Sequence, residues 1–496
     1  MRPQVLLRAD RDIRGFRVAL AIVFLLMTLD ASAVSVRAAE PLVTQTPITS
    51  MHPGALIGRT NAAQQVSLAV PLKPLKQSAL DSFLTDLYTP SPPNYRRYLT
   101  PQQFTQRFFD ATSRTQVVAY LQSQDFTARD PGIGSVINAT GSAAQTERAF
   151  NVALSDYRDA GGQLYTASDV TPALPAPVAS LIVGVLGLNT MPETAASSIP
   201  SALPATSGTI EAQTTPCAQA ATFAANHATY LPGQMATAYD FTGLYNNGVH
   251  GENPTIALVE LSDYHDADVA TYQACFGTNV SLTRVPVDGG AGQPNGEGEV
   301  EGDIEAIAGL APSLSTLLVY DAPDNAADHL NVYQRIANDD RAPVVSNSWG
   351  ACEQRQEMDN PAFIPGTNIV LAQMAAQGQS FFTAGGDSGS TACIRSDPTN
   401  HTLSVGDTSA QPYATVVGGT HLSINGDATY ASEHAWNTMK SGSGSGAGGG
   451  GFSSIWSRPA WQTGPGTTNA YSNGMRETPD VAAVAETQWT FFISGS

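Results

Sequence analysis

Basic residues are scarce in this sequence: its 496 residues include 24 lysines and arginines against 43 aspartates and glutamates, a formal net charge of −19. Proteins that bind nucleic acid need the opposite balance, because lysine and arginine supply the affinity for phosphate. The composition therefore excludes nucleic acid as an expected partner. An acidic chain loses its self-repulsion as its carboxylates take up protons, so the charge also suits a protein that works at low pH.

Cysteine is also rare, with residues at positions 217, 275, 352 and 393. No two of them have the close spacing of a zinc site, which argues against such a site. An even number of cysteines in an exported chain is compatible with disulfides, and we expect the sequence neighbours to pair: Cys217 with Cys275 and Cys352 with Cys393. The sequence does not by itself fix this connectivity.

Long apolar runs are missing from the sequence outside its N-terminal region. Five arginines before residue 18 precede an apolar run over residues 18–29, which is too short to span a bilayer comfortably. Residues 31–33 (Ala-Ser-Ala) supply a small-residue cleavage site, with residues 38–39 as a second choice. We predict a secretory signal peptide over residues 1–39 and an extracellular protein without membrane contact after cleavage. An uncleaved anchor is the alternative.

The length of the chain predicts two or three domains, because 496 residues exceed one ordinary core. A polar lead over residues 40–65 precedes residues 66–189, whose mixed helical and strand-like patterns indicate a compact α/β domain. Residues 190–216 are rich in Thr, Ser, Ala and Pro, which predicts an exposed linker where proteolytic processing occurs. The last predicted domain fills residues 217–496.

Short apolar runs in this last domain alternate with helix-like stretches, which is the pattern of a parallel sheet covered by helices on both faces. In such folds the chemistry lies at the carboxyl ends of the strands. Residues 347–350 (Asn-Ser-Trp-Gly) and 385–389 (Gly-Gly-Asp-Ser-Gly) lie at such ends. We therefore expect these two segments to meet at one edge of the sheet.

A predicted helix over residues 299–309 carries an unusual number of acids. Glu299 and Asp303 are four residues apart and lie on one face, while Glu301 and Glu305 form a second pair rotated away. Like charges at this spacing repel each other, so the helix loses some stability by carrying them. Judged by spacing alone, the plainer interpretation is a solvated acidic face near a helix N-terminus.

Several motifs follow one another in a characteristic order. They are Glu-x-x-x-Asp in residues 299–303, Ser-x-Ser-Trp-Gly in 346–350, Gly-Asp-Ser-Gly in 386–389, and further segments at 450–454, 458–462 and 479–482. Together they resemble the sedolisin family of serine-carboxyl peptidases, and residues 94–100 and 145–150 look like the activation propeptide of that family. The resemblance implies a subtilisin-like parallel sheet flanked by helices, preceded by a ferredoxin-like α/β prodomain.

The resemblance also implies roles for individual residues. Glu299 is the expected general base, Asp303 orients it and shares its proton, and Asp387 is a protonated acid that donates to the developing oxyanion. Carboxylates suit this chemistry at acidic pH, because histidine is then protonated and cannot accept the proton of a serine. The expected substrate-binding strand, which would pair with the peptide backbone, consists of Ser348, Trp349 and Gly350.

A secreted zymogen is the form of protein that the resemblance implies. Its expected partners are polypeptide substrates and its own propeptide, and a monomer is expected. Ca²⁺ is the expected cofactor, although its family ligands would lie downstream of this chain. The expected nucleophile segment, Gly-Thr-Ser-x-x-x-Pro, does not follow residues 479–481. We therefore expect no hydrolysis by the chain as written. The alternatives are a non-catalytic peptide-binding or inhibitory protein and a non-functional gene fragment.

Residues 386–389 also resemble the nucleophile motif of chymotrypsin-like proteases, with Ser388 as the attacking group. That family needs a histidine in an Ala-Ala-His-Cys context, and none of the eight histidines has one. It also builds antiparallel barrels, whereas the alternating strands and helices here indicate a parallel sheet. We therefore expect no nucleophilic role for Ser388.

Overall fold

The computed structural model describes residues 54–90, 93–159, 161–168, 170–195, 202–203, 216–292, 296–438, 446–486 and 489–493. The predicted signal peptide, residues 40–53 of the polar lead, most of the predicted linker and the last three residues lie outside these ranges. The chain divides into the units Met1–Ala39 and Glu40–Ser496, and the second is described below. Among the described residues, no helix combines the length and hydrophobicity needed to cross a bilayer.

The region before residue 190 is a mixed α/β domain. Its strands are β1 (Ala55–Arg59), β2 (Gln65–Pro71), β3 (Thr127–Arg129), β4 (Val136–Ser142), β5 (Leu154–Arg158) and β6 (Leu164–Ser168). Its helices are α1 (Gln77–Tyr88), α2 (Pro101–Phe108), α3 (Ala111–Ser123), α4 (Ala143–Phe150) and α5 (Ala176–Ala179). Helix α2 begins as its sequence favours, because Thr100 accepts the Gln103 amide proton at 3.2 Å and proline occupies the first helical position.

The strand order of this domain fits the predicted ferredoxin-like arrangement. Strands β2, β4 and β3 form an antiparallel sheet in that order. Antiparallel bridges from Ala69 to Leu186 and from Leu72 to Ile182 place a fourth segment beside β2. Counted as the strands of a βαββαβ unit, β2 and β4 are the first and third strands and lie in the centre. The second strand, β3, and the fourth, the segment that contains Ile182 and Leu186, lie at the two edges. A separate antiparallel sheet contains β1, β5 and β6.

The rest of the described chain continues the numbering. Its strands are β7 (Thr194–Ala195), β8 (Ala202–Leu203), β9 (Thr255–Glu260), β10 (Leu282–Pro286), β11 (Thr316–Asp321), β12 (Val344–Asn347), β13 (Trp349–Gly350), β14 (Ser380–Ala384), β15 (Ala414–Ile424), β16 (Tyr430–Ala435), β17 (Gly451–Ser457), β18 (Met475–Thr478), β19 (Val481–Val484) and β20 (Phe491–Phe492). Its helices are α6 (Ala218–His227), α7 (Pro232–Ala238), α8 (Phe241–Asn246), α9 (Asp266–Phe276), α10 (Glu297–Leu310), α11 (Ala326–Asp339), α12 (Glu353–Asp359), α13 (Phe363–Gln377) and α14 (Asp407–Ala410).

The main sheet follows the order β10–β11–β9–β12–β14–β15–β16. Its pairs are parallel from β10 through β15, β19 is a second parallel neighbour of β15, and β16 is antiparallel. The predicted α/β fold with a parallel sheet is confirmed, and the barrel that a chymotrypsin-like role for Ser388 would require is contradicted. The carboxyl ends of β9, β12 and β14 lie side by side, so residues after these strands meet at one edge.

The first domain packs on the helices of the second. Apolar residues of α13, including Ile369 and Ala372, belong to the same buried cluster as the apolar residues of α1 and α2. The Ser135 amide donates to Gln334 Oε1 at 2.6 Å, and the Tyr88 hydroxyl donates to the Ala375 carbonyl at 2.7 Å. This interface buries apolar surface and satisfies the polar groups at its edges, which stabilises the docked arrangement.

Two of the motifs that resemble the sedolisin family contain or contact a carboxylate that binds a neighbouring segment of the chain. In residues 450–454, the Ser454 amide and hydroxyl donate to the buried carboxylate of Glu353 at 2.6 and 2.8 Å. In residues 479–482, Asp480 accepts the Val416 amide proton at 2.9 Å and pairs with the fully buried Arg476. Glu353 thus ties β17 to α12, and Asp480 ties the segment after β18 to β15, because a carboxylate removed from solvent must be matched by donors.

Two disulfides join Cys217 to Cys275 and Cys352 to Cys393, the same pairs that sequence order favours. The second closes a sequence separation of 41 residues. Replacing Cys352 and Cys393 together by serine is expected to lower the free energy of unfolding by about 4 kcal/mol, because the unfolded chain regains the entropy of an open loop. Urea denaturation of the variant and the parent, both without reductant, measures this. A difference below about 1 kcal/mol would contradict it.

The predicted linker is not exposed where it begins. The side chain of Glu193 is only 7% exposed, and β7 pairs antiparallel with β13, opposite Trp349 and Gly350. The prediction of an exposed linker is therefore wrong for Glu193, and the next two residues pair their backbone with β13. The reason is a set of long-range contacts with the second domain, described below, that composition does not reveal.

Candidate active site

A cleft of about 340 Å³ opens at the carboxyl ends of β12 and β14, beside helix α10. Glu299, Asp303 and Asp387, the three acids predicted to be catalytic, all line this cleft. Ser348 lines it as well, in the turn between β12 and β13. The structure therefore brings together four polar residues that lie in three separate segments of the sequence.

Helix α10 presents Glu299 and Asp303 to the cleft because its apolar residues fix its rotation. Val300 and Ile304 are fully buried against the sheet. Glu299, one turn before Asp303, is 9% exposed. Gly296 precedes the helix, and a Cβ there would lie 2.8 Å from the ring of Trp349, so glycine permits this close approach. The start of α10 and strand β13 are thus packed directly on each other.

Asp303 receives a hydrogen bond from the Ser348 hydroxyl, with 2.8 Å between Oγ and Oδ2. Burial raises the pKa of Asp303 to about 6, and the Ser348 bond opposes that rise because it favours the ionised form. A carboxyl with this pKa changes protonation under mildly acidic conditions. This property suits a group that shares a proton with Glu299.

Glu260 adds a further carboxyl that the sequence analysis did not identify. It ends β9, is fully buried, and accepts a hydrogen bond from Trp349 Nε1 at 2.9 Å. Burial, followed by the charges of Asp303 and Glu299, raises its pKa well above the usual range. Glu260 is thus coupled to both acids and tends to hold a proton. The feature of the sequence that could have pointed to Glu260 is its position as an acid at the carboxyl end of an apolar strand.

Trp349 faces inward in this structure. Its side chain is 4% exposed and is held by Glu260, so its ring supports the acid cluster rather than lining an open groove. Its backbone, with that of Gly350, pairs with β7 in antiparallel register. The strand predicted to bind a peptide backbone therefore makes such a pairing, but with a segment of its own chain.

Asp387 lies in the turn that follows β14. Gly386 has a φ of 95°, a left-handed conformation that glycine adopts without strain, and it directs the chain towards the cleft. Burial raises the pKa of Asp387, while the guanidinium of Arg395 opposes this, with Nη2 donating to Oδ2 at 3.2 Å. Arg395 could not be predicted as part of the site, because no pattern in the sequence around it distinguishes it. A buried carboxyl of raised pKa can donate a hydrogen bond to an oxyanion.

The second acid pair of helix α10 is not solvated. Glu301 and Glu305 have no exposed surface, and burial raises the pKa of Glu301 to about 7. Within the described ranges, His265, Asp268 and Glu301 form a group whose ligand-type atoms lie within 4.8 Å of one another. One imidazole and two carboxylates suit a transition metal ion such as Zn²⁺. They do not form the all-oxygen shell that Ca²⁺ prefers, so this group does not fit the expected calcium.

Replacing Ser348 by alanine is expected to raise the pKa of Asp303 by about one unit or more, because a hydrogen bond to the ionised carboxylate is lost. The carboxyl ¹³C shifts of Asp303, followed by NMR through a pH titration, measure the change. Threonine at position 348 keeps the hydroxyl and serves as the control. An unchanged titration in the alanine variant would show that this bond does not act on Asp303.

Comparisons with known proteins place this geometry in context. The profile of the family described as "Pro-kumamolisin, activation domain" matches residues 54–191. Kumamolisin of Bacillus sp. (strain MN-32) is 33% identical over 367 residues, covering 70% of this chain and 60% of the relative. Sedolisin of Pseudomonas sp. (strain 101) is 26% identical over 438 residues, covering 85% of this chain and 70% of the relative.

Another relative and a solved structure are also similar to this chain. Xanthomonalisin of Xanthomonas sp. (strain T-22) is 25% identical over 417 residues, covering 77% of this chain and 48% of the relative. A solved structure of Pseudomonas sedolisin, described as a serine-carboxyl proteinase complexed with pseudo-iodotyrostatin, aligns with a TM-score of 0.45 at 24% identity. That alignment covers 52% of this chain and 71% of the other. The chain thus spans about half to three fifths of the length of kumamolisin and xanthomonalisin.

Proposed function

Because the chain belongs to the sedolisin family of serine-carboxyl peptidases, we propose that it is the precursor of a secreted acid endopeptidase. The match to an activation domain over residues 54–191 supports the precursor form. The basic and apolar N-terminus supports export, and polypeptides are the proposed substrates. The observation that carries the proposal is the shared cleft of Glu299, Asp303 and Asp387.

In the proposed mechanism, a serine that the resemblance places downstream of residues 479–481 attacks the scissile carbonyl. Glu299 accepts the serine proton as the Oγ–C bond forms, and Asp303 shares that proton. Asp387, in its neutral form, donates a hydrogen bond to the oxyanion. The proton passes from the acid pair to the leaving amine as the C–N bond breaks, and water then hydrolyses the acyl-enzyme.

The substrate backbone would lie along β13, where β7 lies in this structure. Antiparallel pairing with Trp349 and Gly350 supports this placement, because a strand edge recognises any peptide backbone and adjacent pockets supply selectivity. The precursor would then be inhibited by its own segment until the linker is cut. This cut is the proposed processing step.

The experiment that tests the function is proteolysis of unfolded casein at pH 4 by the complete gene product, before and after acid incubation. We expect acid incubation to release a fragment ending within residues 190–216 and to start casein hydrolysis. Processing without any hydrolysis would contradict the peptidase proposal.

A second candidate function is peptide binding without catalysis, and the pairing of β7 with β13 favours it, since that contact needs no nucleophile. The present chain would then bind extended peptides, measured by calorimetry, and the complete gene product would do so without turnover. Turnover by the complete product would exclude this candidate.

A further inference from the structure

A buried polar pocket beside the substrate strand holds the side chain of Glu193. Glu193 Oε2 lies 2.6 Å from Nδ1 of His329, and Gln356 Nε2 donates to Oε1 at 2.5 Å. The Glu193 amide donates to Asp324 Oδ1 at 2.8 Å. Glu193, His329 and Gln356 are each at least nine-tenths buried. Each carboxylate oxygen thus meets its own partner in a site closed to solvent.

The position of this glutamate along the chain connects it with the cleft. Glu193 directly precedes β7, whose backbone pairs with β13. The pocket itself is built by the second domain, from α11, α12 and the loop before α11. A peptide that replaced β7 along β13 would place its preceding residue at the mouth of the same pocket. The residue that fills the pocket therefore changes when the linker leaves.

The charges around the pocket favour an acidic or acceptor side chain. Burial disfavours the imidazolium of His329, but the charge and hydrogen bond of Glu193, followed by the charge of Asp407 and the hydrogen bond to Asn347, together outweigh this, so the pKa of His329 is raised. Asp324 and Asp407 also face the pocket, and burial and then the charge of Glu193 raise the pKa of each to about 8. Both shifts favour the protonated form of these two acids. The close charged contact in the pocket is the one between Glu193 Oε2 and His329 Nδ1. Asn347 Oδ1 lies 3.3 Å from the other nitrogen of His329 and orients the ring.

The fixed orientation of the Gln356 side-chain amide also makes the pocket selective for side chains that accept hydrogen bonds. Gln356 presents its amide protons to the carboxylate of Glu193, and it accepts from Asn360 at 3.2 Å, which fixes the orientation of the amide. A leucine side chain here would leave the buried imidazole and amide without acceptors, and a lysine would face the imidazolium. Unpaired buried donors and like charges both weaken binding.

We propose that the pocket of His329 and Gln356 is a substrate subsite selective for glutamate, which Glu193 occupies in the precursor. The proposal rests on the peptidase function, because it places the substrate along β13. The selected residue is the one immediately before the two that pair with Trp349 and Gly350. The same pocket therefore binds the linker before processing and determines the selectivity for substrates afterwards.

The test uses peptides built on residues 191–195 (Met-Pro-Glu-Thr-Ala), with the third position as Glu, Gln, Leu or Lys, extended beyond alanine to give a cleavable substrate. With the processed complete gene product, we expect kcat/KM for Glu to exceed that for Leu by about tenfold or more, because hydrogen bonds to a charged group are lost. Gln should fall between them and Lys should be poorest. Equal rates for all four would overturn the subsite while leaving the peptidase function intact.

Two variants distinguish a specific role of the pocket in selectivity from a general loss of folding or activity. Gln356→Leu is expected to remove most of the preference for Glu over Leu, whereas Glu357→Leu, at an exposed neighbour on the same helix, should keep it. If the complete product cleaves none of the peptides, the peptidase proposal fails, and binding then tests the subsite alone. The Glu193→Ala chain should bind the Glu peptide about tenfold tighter than the Leu peptide in calorimetry. Equal binding would overturn the subsite.

Discussion

Replacing Glu299 by glutamine is expected to lower kcat/KM of the complete gene product by about 100-fold or more at pH 4, because glutamine cannot accept the proton of the nucleophile. Glutamine has nearly the same shape, and Val300 and Ile304 still fix the rotation of the helix. The fold should therefore persist. Hydrolysis of a fluorogenic peptide, with thermal unfolding followed in parallel, measures both effects.

The matched control is Glu297→Gln on the same helix. Glu297 lies in the first turn and does not line the cleft, so its replacement removes one charge without removing the proposed base. We expect its kcat/KM to stay within about threefold of the parent, which is a small change in activation free energy. Comparable losses in both variants would assign the effect to the charge of the helix and contradict a specific role for Glu299.

The stability of the folded chain is expected to fall as the pH rises from about 4 to about 7. The reason is that several buried acids have a folded-state pKa above the unfolded one. Such a group binds more protons when folded, so its contribution is complete below the unfolded pKa and is lost as the pH rises through the folded pKa. Asp303, shifted from 3.8 to about 6, should account for about 3 kcal/mol across this window. Asp324 and Asp407 act in the same direction up to about pH 8.

Urea unfolding at pH 4, 5, 6, 7 and 8 measures this dependence. Asp303→Asn should flatten the profile between pH 4 and 6, because the amide has no proton to lose. Asp427→Asn is the control, since Asp427 lies in an exposed turn and does not share the raised pKa. A parent protein that becomes more stable between pH 4 and 7 would contradict the buried protonated acids.

Much of the fold and part of the site could be predicted from local patterns. Alternating apolar runs and helical stretches predicted the parallel sheet, because each buried strand must be covered by neighbouring helices. The spacing of Glu299 and Asp303 placed both on one helix face, and both line the cleft. These properties depend on residues close together in the sequence.

The features that sequence reasoning missed depend on distant partners. Glu260 is held in the site by a hydrogen bond from Trp349, which lies 89 residues away in the sequence. Nothing in the sequence around Glu260 indicates that contact. Glu193 lies in a segment whose composition is typical of an exposed linker, and it is buried because His329 and Gln356 bind its carboxylate. Burial of a charged residue is decided by its partner, and the partner is found only in the folded chain.

The acid cluster also explains why the site combines so many carboxyls without a neutralising lysine. Glu260 and Asp303 reduce their mutual repulsion by holding protons, and burial strengthens this tendency. The proposed chemistry needs one ionised carboxylate to accept a proton and one neutral acid to donate to the oxyanion. Both forms coexist only where the pH lies near the pKa values of the group, which is the acidic range.

The most direct test of this central claim is the pH profile of casein hydrolysis by the processed complete gene product. The proposed acid pair predicts activity with a maximum below about pH 6 and almost none at pH 8, since Asp387 must remain protonated. The double variant Glu299→Gln/Asp303→Asn should be inactive across the whole range. A maximum at pH 8, or hydrolysis that survives in the double variant, would contradict a carboxylate-based peptidase.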